Sequence, residues 1–168
     1  QVQPAAGKQL AIGPEDAGEG QALAGKIRSG KTRLAEEAQE YVARGYKAVK
    51  LRLGDTAAKD IERVLHVRKV LGDDIDILTD ANTAYTIADV RRVLPVLAEI
   101  KAGWLEEPFA PHDHQGYQRA AQLGKVPLAA GENHYTRFEF ARVLDDGLIS
   151  VLQPDLSKAG GITEVLRI

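Results

Sequence analysis

Three carboxylates recur at one interval. Asp80, Glu106 and Glu132 are each separated from the next by 26 residues. Each follows a short apolar run that reads as a buried strand: Ile75–Thr79, Gly103–Leu105 and Val126–Ala130. A lone acid in such a position is more often a helix N-cap or a solvated loop residue. Three in one phase reverse that expectation, because a repeating βα unit delivers every strand end to the same rim of a parallel sheet. Oxygen donors gathered there suit a hard divalent cation.

The elements that must position these acids alternate along the chain. Leu34, Ala38, Tyr41 and Val42 recur at helical spacing from Lys31, and Gly45 supplies a stop. Lys47–Leu53 then reads as a strand carrying Lys50 and Arg52 on one side, since alternate residues share a face. A helix with Ile61, Val64, Leu65 and Leu71 precedes the Asp80 strand. Another starts after Thr86, a candidate N-cap, and Pro95 is expected to kink it. A polar helix over His114–Leu123, a helix from Arg137 to Leu144 and a strand over Leu148–Leu152 complete the run. Upstream, Gln9–Ile12 reads as a first strand, followed by a polar loop through Gly13-Pro14-Glu15-Asp16. Six alternations without hairpin signals predict an α/β fold with a parallel sheet, and the recurrence favours a (β/α)8 TIM-type barrel of which about six βα units are present.

Composition narrows the chemistry. The 168 residues carry a net charge of −2, which gives no basic footprint for nucleic acid and no attraction to an anionic membrane. No apolar run approaches the roughly 18 residues of a membrane span. There is no cysteine, so oxygen and nitrogen ligands remain and hard cations are favoured. The chain is short for a barrel that typically takes about 250 residues. It opens on Gln1, contains no methionine, and stops at Ile168 just inside a helical pattern, so a fragment is expected.

The motifs around the acids read Leu78-Thr79-Asp80-Ala81-Asn82, Trp104-Leu105-Glu106-Glu107-Pro108 and Ala130-Gly131-Glu132-Asn133-His134. Lys50-Leu51-Arg52 precedes them and Gln153-Pro154-Asp155-Leu156-Ser157-Lys158-Ala159-Gly160-Gly161 follows. In this order the sequence resembles the enolase superfamily, and within it the mandelate racemase/muconate lactonizing enzyme group, from about Gly30 onward. The resemblance implies that residues 1–168 are part of an enolase-type C-terminal barrel domain, strands 1 to 6, without its N-terminal capping domain and last barrel units. It implies Mg²⁺ held by Asp80, Glu106 and Glu132, and abstraction of a proton α to a carboxylate. Glu107 and Asn82 are expected beside the ligands or the substrate.

Lys50 and Arg52 stand where the resembling family has a Lys-x-Lys pair. Arginine stays protonated at any accessible pH, so Arg52 suits clamping a carboxylate better than acting as a base. Asp155 matches the aspartate that in the mandelate racemase-like branch orients a histidine from the next strand, and that histidine would lie beyond Ile168. Lys158 is expected to approach substrate or to shape the following turn. Of the four histidines, His66 reads as a surface residue and His112 and His114 as polar rim. His134 stands closer to the chemistry, as a substrate contact, an acid or a supporting hydrogen-bond partner. The expected activity is a Mg²⁺-dependent lyase, a sugar-acid dehydratase acting in the cytoplasm on a small carboxylate. A racemase or cycloisomerase shares its intermediate, and a non-catalytic metal-binding half-barrel is the reading from another class. A homo-oligomer is expected of the full-length protein, with neither nucleic acid nor membrane as partner.

Overall fold

The computed structural model describes residues 31–124 and 126–168; the strand expected near Gln9–Ile12 and its loop lie outside them. The described elements run α1 (Lys31–Ala43), β1 (Ala48–Arg52), α2 (Ala57–Leu71), β2 (Asp76–Asp80), α3 (Ile87–Glu99), β3 (Leu105–Glu106), α4 (His114–Leu123), β4 (Leu128–Ala130), α5 (Thr136–Asp146) and β5 (Val151–Leu152). Two short turns of helix follow, α6 (Leu156–Ala159) and α7 (Ile162–Val165). All pairings are parallel, in the order β1-β2-β3-β4-β5. Sequential neighbours joined by helical crossovers are the pattern of consecutive units of a βα barrel.

The two faces of the sheet separate by strand parity. Val49, Leu51, Ile77, Leu105, Leu128 and Ala130 face the helices and join Leu34, Ala38, Val64, Val67, Val90, Val93, Leu97 and Ala120 in one core. The opposite face carries a smaller cluster, Ala48, Leu78, Trp104 and Ala129, with half-buried Val151 against it. Two residues further along β1, β2 and β3 this inner face turns polar, at Lys50 and Arg52, Asp80 and Glu106. A side-chain period of two therefore places apolar packing at one level and the charged groups above it, at the C-terminal ends.

Local signals fix the helix starts. Thr86 caps α3 in a capping box, its hydroxyl accepting from Asp89 N while the Asp89 carboxylate accepts from Thr86 N at 3.0 Å. Thr56 caps α2 and Asp113 caps α4. The helix through Pro95 is continuous rather than interrupted, because Val93, Leu94 and Leu97 are buried on either side of the proline and packing outweighs its missing donor. Among the described residues no helix is long and apolar enough to cross a membrane.

Candidate active site at the carboxyl ends of the strands

Asp80 is the last residue of β2 and Glu106 the last of β3, and the two are register partners, as are Arg52 and Asp80. Side chains at paired positions of a parallel sheet project to the same face, so these groups meet. Arg52 Nη1 donates to Asp80 Oδ2 at 2.8 Å. Lys50 Nζ donates to both Glu106 oxygens, at 2.8 and 2.9 Å, and lies 3.6 Å from Asp80 Oδ2. Glu106 Oε2 also accepts from Trp104 Nε1 at 3.2 Å and Gln153 Nε2 at 3.0 Å. Asp80 and Glu106 are 4% and 1% exposed, and charges so far from water persist only when paired in this way.

A second group spans the loops after β3, β4 and β5. Glu107 is 1% exposed and accepts from Asn133 N at 3.2 Å and from Asn133 Nδ2. Lys158 Nζ in turn donates to Asn133 Oδ1 at 2.6 Å. Burial pushes the Glu107 carboxyl above the usual carboxylate range, the bonds from Asn133 oppose this, and the charge of Glu132 adds to it. Its backbone, at φ 38°, lies in the left-handed region and is held there by a Glu107 N–Ala129 O bond of 2.9 Å and a Thr83 N–Glu107 O bond of 2.6 Å.

The remaining expected site residues fall as follows. Asn82, at φ 46°, offers its backbone N–H to Asp80 Oδ1 at 2.9 Å rather than its side chain. Asp155 is exposed and caps α6, with Ser157 N, Ser157 Oγ and Lys158 N all on Oδ1, which holds its carboxyl below the usual range. Among the described residues, nothing donates to Oδ2. His134 is buried beside Phe140 of α5, ring centroids 5.7 Å apart. Burial pushes its imidazole below the ordinary histidine value.

The equal spacing of the three acids is not equal register. Glu106 pairs with Ala129, so Glu132 stands three positions further along and two residues past the end of β4. Among the described residues, no group of three His, Cys, Asp or Glu side chains lies close enough to ligate one ion. The donor chemistry nevertheless fits a hard divalent cation at Asp80 and Glu106. Every donor is oxygen, a positive centre, Lys50 Nζ, is already held between the two carboxylates, and Gln153 Oε1 beside them is buried without a partner.

The sequence motifs suggest no role for Gln153 or Asn133. Extending the strand-end rule to the fifth strand would have found Gln153. Asp60 gave no such signal: it is fully buried in the first turn of α2 and accepts from Gly54 N, Asp55 N, Tyr85 Oη and Arg63 Nη1 at 2.8–3.0 Å. It thereby ties the loop after β1 to the loop after β2. Burial, with the Asp60 charge adding, pushes the Tyr85 phenol up, so it remains a donor.

Residues 33–168 match the family described as "Enolase C-terminal domain-like". The chain is 32% identical over 136 residues to a 3,6-anhydro-alpha-L-galactonate cycloisomerase of Streptomyces coelicolor, covering 80% of this chain and 38% of that protein. A crystal structure of a member of the enolase superfamily from Polaromonas sp. JS666 superposes with TM-score 0.85 at 68% identity, covering 88% of this chain and 40% of the other. An L-talarate dehydratase from the same source, complexed with Mg and L-glucarate, gives TM-score 0.79 at 31% identity over 86% of this chain and 41% of the other. The protein belongs to the enolase C-terminal domain-like family, and its described residues are consecutive units of that family's barrel. Its chain spans about two fifths of the length of these relatives.

Proposed function

We infer that this chain carries the metal-binding and cationic side of a Mg²⁺-dependent sugar-acid dehydratase, with Asp80 and Glu106 as metal ligands and Glu132 joining them from the loop after β4. The observation that carries the reading is the buried Lys50–Glu106 and Arg52–Asp80 network at the strand ends, in a chain of this family. When bound, Mg²⁺ supplies the concentrated positive charge that an enediolate requires as it develops.

The chain's own residues do the rest. Arg52, pinned to Asp80, neutralises the substrate carboxylate. Were a metal ion held by Asp80 and Glu106, the Lys50 ammonium, now on Glu106, would be available to the same carboxylate. Glu107, through Asn133, fixes the backbone from which Glu132 projects. The free Oδ2 of Asp155 is suited to orient an imidazole that takes the α-proton. In the overall reaction the α C–H bond breaks, its electron pair enters the enediolate, and the β C–O bond breaks as the leaving hydroxyl picks up a proton and departs as water. The resulting enol tautomerises to a 2-keto-3-deoxy acid. We assign the protein to the cytoplasm and to a homo-oligomer.

Solvent exchange tests this directly. With Mg²⁺ in deuterated water, one member of a panel of sugar acids should lose its α-proton and yield a keto acid, and Glu106→Gln should abolish both. Exchange without water loss would turn the reading to a cycloisomerase or racemase, which share the intermediate. No exchange with any acid would end it.

A further inference from the structure

The two oxygens of Glu106 are held unequally. Oε2 accepts from Lys50 Nζ at 2.9 Å, Trp104 Nε1 at 3.2 Å and Gln153 Nε2 at 3.0 Å, whereas among the described residues Oε1 accepts from Lys50 alone, at 2.8 Å. A bound cation would repel the ammonium, but the indole and the amide carry no net charge and can keep their bonds beside it. Both are also fixed from behind. Trp104 lies two residues before Glu106 on the same face, buried among Ala48, Leu78 and Ala129, and its carbonyl accepts from Thr79 N at 3.1 Å and Thr79 Oγ1 at 2.7 Å. Gln153 directly follows β5, and its backbone N–H donates to Ala130 O at 3.1 Å. It reaches Glu106 across β4, where the register partner of Glu106 is Ala129 and presents only a methyl group.

A carboxylate oxygen has about two lone-pair sites, and on Oε2 the indole and the amide occupy both. We propose that Trp104 and Gln153 are positioning residues that saturate Glu106 Oε2, leave a bound cation only Oε1, and thereby select Mg²⁺ over Ca²⁺. The two ions differ in what they ask of a carboxylate. Mg²⁺ demands a near-ideal octahedron and is served by one oxygen, while the larger Ca²⁺ gathers more oxygens and gains from taking both of one carboxylate. Withholding the second oxygen therefore costs Ca²⁺ a ligand and Mg²⁺ nothing. This role rests on the assignment of Glu106 as a metal ligand under the proposed function, and goes beyond it by giving the choice of ion to two uncharged side chains.

Separate calorimetric titrations of the full chain with magnesium chloride and calcium chloride test this without turnover. Trp104→Phe keeps the aromatic packing and removes the N–H; Gln153→Leu keeps the volume and removes the amide. In each variant the ratio of Mg²⁺ to Ca²⁺ affinity should fall about tenfold or more as Ca²⁺ gains the second oxygen. Ratios unmoved in both variants overturn the proposal even if both ions bind more weakly, since general loosening of the strand ends would weaken them together. Trp104 is the single tryptophan of the sequence, so its emission reports on the contact. It should change with the calorimetric Mg²⁺ midpoint in the parent and stay constant in Glu106→Gln. An indole silent to an ion that calorimetry shows bound overturns the proposal as well. Mg²⁺ binding that is absent, or unaltered by Glu106→Gln, ends the metal-ligand assignment and this role with it. Binding that Glu106→Gln abolishes, with unmoved ratios in Trp104→Phe and Gln153→Leu, ends only the role assigned here.

Discussion

The β1–β3 side of the rim and the β4–β5 side hold their functional groups by different means. On the first, Lys50, Arg52, Asp80 and Glu106 sit inside strands, and ladder register alone brings them together. On the second, Glu132, Asn133, Asp155 and Lys158 lie in loops or helix starts, and their places depend on turns and side-chain bridges. α3 has a full capping box, whereas the N-cap of α5, Tyr135, makes no side-chain cap. Strand-borne groups are fixed by the backbone, and loop-borne groups are only as well placed as the contacts that hold the loop.

That contrast can be broken from either side. The largest effect is expected at Asp60, which locks the loops after β1 and β2. Asp60→Ala strands two backbone N–H groups and the Tyr85 hydroxyl in the interior and should cost about 3–5 kcal/mol in urea unfolding. A loss below about 1 kcal/mol would mean that the strand side does not rely on this lock.

Gly131 is the counterpart on the loop side. Its φ is 151°, and a Cβ there would stand 2.6 Å from the backbone of Gln153. Gly131→Ala should cost about 2–4 kcal/mol and weaken Mg²⁺ binding by moving Glu132 and Gln153 together, which calorimetric titration with the ion would reveal. Unchanged stability and affinity would show that loop geometry is not the controlling variable. Thr86→Ala removes the capping box and should cost about 1 kcal/mol without affecting ion affinity.

The smallest expected effect is pH-dependent. Because burial lowers the His134 pKa from 6.5, the unfolded chain takes up a proton that the folded chain refuses as pH falls below about that value. Stability contributed by this residue is therefore complete above pH 6.5 and is lost as pH drops through the folded-state pKa. The urea midpoint should fall less between neutral and mildly acidic pH in His134→Phe than in the parent; equal slopes would assign the acid sensitivity elsewhere.

Legibility in the sequence followed the same line. Helix phases and five of the strands could be read from apolar periodicity, and His114–Leu123 has the bounds expected of it. Thr86 is the N-cap expected of it, and the structure adds Asp89 as its capping-box partner. The kink expected at Pro95 did not follow, because local propensity yields to burial on both sides. The constant interval between the acids identified Asp80 and Glu106 as neighbours, but overstated the equivalence of Glu132, since sequence spacing counts helix and loop residues that the ladder does not. The Asp60–Tyr85 bond and the Glu107–Asn133–Lys158 bridge were invisible, for each joins groups 25 or 26 residues apart in sequence.

By itself, then, the order of residues determined which groups stand at the ends of parallel strands and that they are oxygen donors flanked by fixed cations. Residue type, strand parity and repeat phase are all local properties of the chain. Tertiary structure alone decided the register between neighbouring strands, the bridge that holds the Glu132 loop and the burial of His134. Those depend on where separate segments come to rest against one another, which no local pattern encodes.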